Sequence, residues 1–106
     1  MARLRPVHPG DVLKRDFLEP LGLSAYRLAR ELRVTPVRIN DIVRRRRAVT
    51  ADTALRLGAY FGTAPQFWLN LQSSHDLEVA GRKASRVLSG IRSRAGSAAT
   101  RAPSAR

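Results

Sequence analysis

The side chains able to move protons or hold metals are few in this chain. Its 106 residues include two histidines, no cysteine and a combined eight Asp and Glu. Without thiolates neither a disulfide framework nor a zinc finger is available, and His8 and His75 are left as the only nitrogen ligands. His8 stands before a Pro-Gly pair and His75 lies far downstream, so the spacing indicates no shared site. Asp11 and Asp16 would diverge on a helix, and Asp11 near Lys14 is accounted for by helix electrostatics. The chain is therefore expected to carry no catalytic residue, no metal and no cofactor. What it has in excess is positive charge: 20 Lys and Arg against 8 acids, a formal +12. Such an excess repels itself unless an anion neutralises it, so a polyanion is the expected partner.

The cationic and polar residues best placed to read that partner lie between Thr35 and Arg47. On a helix, Ile39, Ile42 and Val43 turn inward, which leaves Pro36, Val37, Arg38, Asn40, Asp41 and Arg44 outward, with Thr35 at the leading end. Asn can pair bidentately with adenine and Arg with guanine, Asp can accept from cytosine N4, and the Val37 methyls can meet a thymine methyl. Arg44, Arg45, Arg46 and Arg47, with Arg27, suit phosphate oxygens better, because four consecutive arginines fan out and cannot aim at one base edge. Charge runs are more often solvated faces, but this one follows directly on the reading helix, which favours the phosphate role.

Helices must position these groups. Leu, Ala and Arg dominate and no stretch alternates as a half-buried strand would, so the fold class expected is all-α. Caps and breakers divide residues 1–80 into five short helices. The first covers 11–18 after Pro9-Gly10, with Val12, Leu13 and Phe17 on one side, and Pro20 with Gly22 ends it. Ser24 caps the second, whose Ala25, Leu28, Ala29 and Leu32 form one apolar stripe. Thr35-Pro36 opens the third after only Arg33 and Val34. Thr50 caps the fourth, which carries Ala54, Leu57, Gly58 and Phe61 and stops at Gly62. Thr63 and Gln66 stand at capping-box spacing before the fifth. Two short helices in quick succession over residues 24–47, the second basic on its outer face, have the form of a helix-turn-helix.

Composition changes near Gly81. Residues 1–80 hold 13 Lys and Arg with all eight acids and all six aromatics, whereas residues 81–106 hold 7 with no acid. The first stretch is expected to be the folded domain, and 81–106 a basic Arg/Ser/Ala-rich tail, disordered or partly helical, with only Val87, Leu88 and Ile91 as large apolar residues. No apolar run approaches a membrane span and the N-terminus lacks an apolar signal region, so the cytoplasm is the expected compartment and no membrane is expected as a partner. In the fifth helix Phe67 and Leu71 share one side while Leu69 points away with Trp68 between. One core cannot cover both, which predicts a homodimer with Trp68 and Leu69 at its interface.

The stretch from His8 to Ala80, with HPG, FLEPLGLS, RINDIV, VTADTALRL and FGTAPQFWLNLQ, closely resembles the HigA family of antitoxins from bacterial toxin–antitoxin modules, itself similar to the Xre and phage-repressor class. The resemblance implies a five-helix repressor-like domain that dimerises, binds double-stranded operator DNA at its own promoter, and neutralises a cognate mRNA endonuclease toxin of the HigB or RelE type. That class commonly has glycine where Arg33 and Arg45 stand here, so each arginine must accept a left-handed or adjusted backbone at roughly 1 kcal/mol. A basic RNA-cleaving toxin would be repelled by a +12 protein, which directs the contact to the mixed-charge surface of Asp11, Asp16 and Glu19. Two rivals stand beside this reading. One is a free-standing regulator of the same fold without a toxin. The other is an RNA-binding or nucleoid-type protein driven by its arginine tail, although that tail has no aromatics for base stacking.

Overall fold

The computed structural model describes residues 6–94. Five helices account for most of them. The first, α1 (9–21), has three joined parts: an α-helical turn at Pro9–Val12, a π-helical stretch at Leu13–Leu18 and a final turn at Glu19–Leu21. There follow α2 (Ala25–Leu32), α3 (Pro36–Val43), α4 (Ala51–Phe61) and α5 (Pro65–Ser89). No strand occurs among the described residues.

The chain starts its first helix two residues earlier than its Pro-Gly pair suggests. The His8 Nδ1 accepts from the Gly10 N–H at 2.9 Å, and the Asp11 carboxylate accepts from the His8 N–H at 3.0 Å. This reciprocal cap makes Pro9-Gly10 the first helical turn, where the missing N–H of proline is harmless. Glycine is needed there for another reason: a Cβ on Gly10 would lie 1.8 Å from the Ile42 carbonyl oxygen, so α1 packs directly on the end of α3. Pro20 does not stop the helix either. The π-helical register ahead of it places the Glu19 N–H on the Lys14 carbonyl, five residues back, and the helix ends at left-handed Gly22.

These elements close on one core. Leu13 from α1, Leu28 and Ala29 from α2, Ile39 and Ile42 from α3, Ala54 and Leu57 from α4 and Trp68 from α5 are fully buried in it. Phe17 meets Phe61 and Trp68 with ring centroids 4.8 and 5.1 Å apart, which ties α1 to the join between α4 and α5.

Helix α5 departs from expectation at its cap and on its buried face. The capping box does not form, because the Thr63 hydroxyl accepts from the Trp68 indole N–H at 2.8 Å and the N-cap position falls to Ala64. Trp68 is fully buried within its own chain, so it cannot form a dimer surface, and Leu69 is half-buried against the same core. The residues of this helix buried in the core are Trp68 and Gln72, one turn apart, with Leu69 and Leu71 partly buried beside them, whereas Phe67, expected on the same side as Leu71, is exposed. Buried Gln72 is fully used: its carbonyl accepts from the Val49 N–H at 2.8 Å and its amide donates to Asp76 at 2.9 Å. The helix also continues through Gly81, where the composition changes, to Ser89. A glycine inside a helix costs only about 1 kcal/mol, and the Glu78–Arg82 pair bridges that turn. The rest of the basic tail, 95–106, lies outside the described residues.

Candidate nucleic-acid interface

Helices α2 and α3 are short, and each is capped by a hydroxyl at its start. Ser24 Oγ accepts from the Arg27 N–H at 3.0 Å and Thr35 Oγ1 from the Arg38 N–H at 3.3 Å. Between them the chain reverses at Arg33, which sits in the left-handed region with φ 62°, while the Val34 N–H reaches back to the Ala29 carbonyl. The second left-handed arginine, Arg45 with φ 65°, closes α3: the Arg46 N–H bonds to the Asp41 carbonyl and the Arg45 N–H to that of Ile42. That pair of bonds is the usual glycine-containing helix stop, carried here by an arginine.

With Ile39 and Ile42 fully buried, α3 presents the opposite face outward. Thr35, Val37, Asn40 and Arg44 are exposed on it; Pro36, Arg38 and Asp41 are half-buried. The guanidinium of Arg38 lies on α4, donating to Asp52 at 2.7 Å and to the Thr53 hydroxyl at 3.3 Å. Asp52 also accepts from Arg56 at 3.0 Å, and Arg56 in turn donates to the Leu32 carbonyl at 2.8 Å. The Arg38 hydrogen bond, followed by that of Arg56, holds the Asp52 carboxyl below its ordinary range. Asp41 faces Arg47 at 3.5 Å. One carboxylate on α4 thus holds Arg38 of α3 directly and, through Arg56, the end of α2 at Leu32. The Asp52–Arg56 spacing of one helical turn was visible in the sequence; the link from Asp52 to Arg38 required the fold.

The four-arginine run divides. Arg44, Arg46 and Arg47 are exposed, whereas Arg45 folds back onto α1, its Nε 3.5 Å from Asp11 Oδ1. That Nε is buried, with no hydrogen bond of good geometry. Arg45 therefore joins α3 to α1, while its half-exposed side chain still borders the surface at the end of α3. Arg27 is exposed and pairs with Glu31 at 3.0 Å. Lys14, which the sequence reading explained only by helix electrostatics, joins the cationic surface: with Arg44, Arg45 and Arg46 it lines an open groove of about 560 Å³ beside the end of α3.

Among the acids assigned to a protein contact, Asp11 is engaged by His8 and Arg45, while Asp16 and Glu19 are exposed, Asp16 beside Arg15 at 3.1 Å. The two histidines, read as unrelated, meet edge-to-face with ring centroids 4.8 Å apart. Burial foremost, and then His75, lowers the pKa of His8 from its ordinary value. Its Nδ1 is occupied as the helix-cap acceptor, so the pair is a structural joint between α1 and α5. Among the described residues no group of three or more His, Cys, Asp and Glu side chains could hold a metal ion, and no helix is long and apolar enough to cross a membrane.

Two capped helices joined by a three-residue left-handed turn, with a polar face on the second, define a helix-turn-helix. Residues 14–68 match the family model described as Helix-turn-helix. Virulence-associated protein I of Dichelobacter nodosus is 55% identical over 74 residues, covering 70% of this chain and 68% of that protein. Antitoxin HigA-1 of Vibrio cholerae is 38% identical over 73 residues, covering 69% of each. Among solved structures, the Pseudomonas aeruginosa antitoxin HigA with the higBA promoter superposes with a TM-score of 0.82 at 42% identity, covering 85% of this chain and 98% of that one. The chain belongs to the helix-turn-helix family and, within it, to the HigA antitoxins, a group of DNA-binding regulators and not of enzymes.

Proposed function

We propose that this protein is a sequence-specific DNA-binding antitoxin that represses its own toxin–antitoxin operon and neutralises a HigB/RelE-type mRNA endonuclease by direct binding. The observation that carries the DNA half is the division of α3, with Ile39 and Ile42 fully buried and Thr35, Val37, Asn40 and Arg44 exposed on the other side. Its readers are these four with Pro36, Asp41 and Arg38, the last aimed by Asp52. Arg27, Arg44, Arg46 and Arg47, with Lys14 at the groove, hold phosphates. A homodimer on two half-sites about one turn of DNA apart multiplies the affinity of each reading head. The binding takes place in the bacterial cytoplasm, at the operator. Likeness to a HigA solved with its promoter supports this reading.

The toxin half rests on the family. A basic toxin is best received away from the arginine face, at the exposed acids Asp16 and Glu19 of α1, with Asp11 holding the helix start in place. Growth rescue tests it. The adjacent reading frame should arrest growth when expressed alone, and co-expression with this chain should restore it. Charge reversal at Asp16 and Glu19 should abolish rescue and leave operator retardation intact. A harmless neighbour, or persistent toxicity with this chain present, would replace the antitoxin reading by that of a free-standing repressor.

A further inference from the structure

Cations without a partner of their own converge between α1 and the end of α3. Lys14, Arg44 and Arg46 are exposed along the groove of about 560 Å³, and none of them has an ion pair among the described residues. Arg45 borders the same groove, but Asp11 at 3.5 Å balances its charge. The depression does not stop at the cations. Lys14 and Val43 also line a second hollow of about 400 Å³, which runs on to the start of α2 over Leu18, Leu23 and Ala25 and has Glu19 at its edge. Leu18 is buried and Leu23, Ala25 and Val43 are half-buried, so this part is an apolar shelf that the chain itself leaves open. Glu19 is exposed and has no ion pair among the described residues.

We propose that this composite groove binds a free nucleoside polyphosphate, its phosphates held by Lys14, Arg44 and Arg46 and its base laid on the shelf of Leu18, Leu23 and Val43. Charge sets the order of the parts. At the cationic end the unpaired charges of Lys14, Arg44 and Arg46 lie together, and a short chain of phosphates is the compact anion that meets all of them. At the other end stands one unpaired carboxylate, an acceptor only, which repels a phosphate and receives a hydroxyl or amino donor. A sugar and base supply those donors together with an apolar planar face. A DNA backbone fits less well: it can lay a phosphate on the cations, but carried on across the shelf it brings its next phosphate toward Glu19 and leaves the apolar floor unused. The size agrees, since small-molecule sites span roughly 300–1,000 Å³.

The two walls are held at a constant spacing. Gly10 lies against the Ile42 carbonyl, so α1 with Lys14 and α3 with Val43 and Arg44 move as one piece. Lys14, Arg44 and Arg46 are also cations assigned above to DNA phosphates. Nucleotide and operator therefore compete for them, and by linkage each weakens the binding of the other. Abundant nucleotide loosens the grip of the chain on its operator. The site rests on the groove alone; this regulatory consequence rests on the DNA-binding reading given above.

Titration of the full chain without DNA or magnesium, at low salt, tests the site with ATP, GTP and inorganic triphosphate as ligands. ATP or GTP should bind about five times more tightly than inorganic triphosphate, or better, although the triphosphate carries no smaller a charge. Amide NMR shifts should concentrate at Lys14, Leu23, Ala25, Val43, Arg44 and Arg46. Leu23→Gln should bring the nucleotide down to the affinity of triphosphate, with triphosphate and operator binding unchanged, and Lys14→Ala should weaken both anions. If Leu23→Gln fails to fold, the ligand comparison and the shift map of the parent decide alone. Triphosphate bound as tightly as nucleotide, or shifts spread equally over Arg27 and Arg47, would make the groove a non-specific cationic surface and overturn the proposal. On the operator complex, nucleotide should release DNA more effectively than triphosphate at equal concentration. A chain that binds nucleotide but no operator would keep the site and lose its regulatory role; one that binds operator without preferring nucleotide would lose the site and keep base reading by α3.

Discussion

Helices α2 and α3 differ from α5 in how many faces they use. Each of the short helices has one apolar side, buried against one core, and one polar side. Each is bounded by a hydroxyl cap at its start and a C-terminal reversal, left-handed Arg33 after α2 and Arg45 just beyond α3. Helix α5 is 25 residues long and carries two apolar stripes on different sides, one used within the chain and one bare. Local pattern specifies a one-faced helix almost completely. It fails on a two-faced helix, because which stripe is buried depends on what the other helices place beside it.

The sharpest way to break this contrast is at Trp68, which the two readings of α5 assign to opposite places. A buried residue loses core packing and the indole bond to Thr63, so Trp68→Ala should lower unfolding stability by about 3–5 kcal/mol, measured by urea titration. An interface residue would instead leave the monomer stable and change only its association. Thr63→Val should reproduce a smaller part of the loss, about 1 kcal/mol, by removing the acceptor of that N–H.

On α3 the contrast sharpens through DNA. Asn40 is exposed with no structural duty evident, so Asn40→Ala should cost about 1–3 kcal/mol on the operator and little on random duplex. Asp52→Asn leaves every proposed base contact in place but frees Arg38 and Arg56. It should cut the preference for operator over random DNA, and Asp52→Glu should restore part of it. Equal losses on both DNAs, read by competition at fixed salt, would remove Arg38 and Asp52 from the reading of sequence.

What the sequence revealed and what it hid divide along the same line. Ser24, Thr35, the inward Ile39 and Ile42 and the outward Asn40 were legible because caps and helical periodicity act within one turn. Arginine at positions 33 and 45, where the resembled class has glycine, correctly signalled left-handed backbone. The contacts missed are all between elements. Arg38 with Asp52, Arg45 with Asp11, Gln72 with Val49 and His8 with His75 join residues that no local pattern relates. Pro9-Gly10 was read as a turn because a histidine cap is rarer than Ser or Asp, and Pro20 as a stop because a π-helical register is not written in side-chain periodicity.

The histidine joint gives a test by pH. His8 is held neutral in the folded chain, its pKa lowered first by burial and then by His75; Arg45 acts in the same direction, and Asp11 and Asp76 oppose it. The unfolded chain therefore binds a proton more readily than the folded one. Stability from this group is present above the unfolded value of about 6.5 and is lost as pH falls from there through the lower folded value. Protonation would also remove the Nδ1 acceptor that caps α1. Thermal stability should thus fall as pH drops from about 7.5 to about 5, and His8→Asn, which can cap without titrating, should flatten that slope. An unchanged slope in the variant would assign the pH response elsewhere.

The smallest expected effect separates the two left-handed arginines. Both bear the backbone cost of a side chain at positive φ, 62° at Arg33 and 65° at Arg45, so glycine relieves the same strain at each. Their side chains differ. Arg33 is exposed and has no ion pair among the described residues, whereas Arg45 reaches Asp11 and joins α3 to α1. Arg33→Gly should therefore stabilise the fold by about 0.5–1 kcal/mol, the αL penalty of a non-glycine residue less the extra entropy of glycine in the unfolded chain. Arg45→Gly gains the same relief but leaves a half-buried Asp11 without its cation, so its net effect should fall near zero or below. Urea midpoints of the two variants, with the Asp11→Asn change added to each, decide the matter. Asp11→Asn should cost less when Arg45 is already glycine and the same when Arg33 is. If its cost is equal in both backgrounds, the Arg45–Asp11 contact contributes nothing, and Arg45 returns to the solvent with the rest of the run.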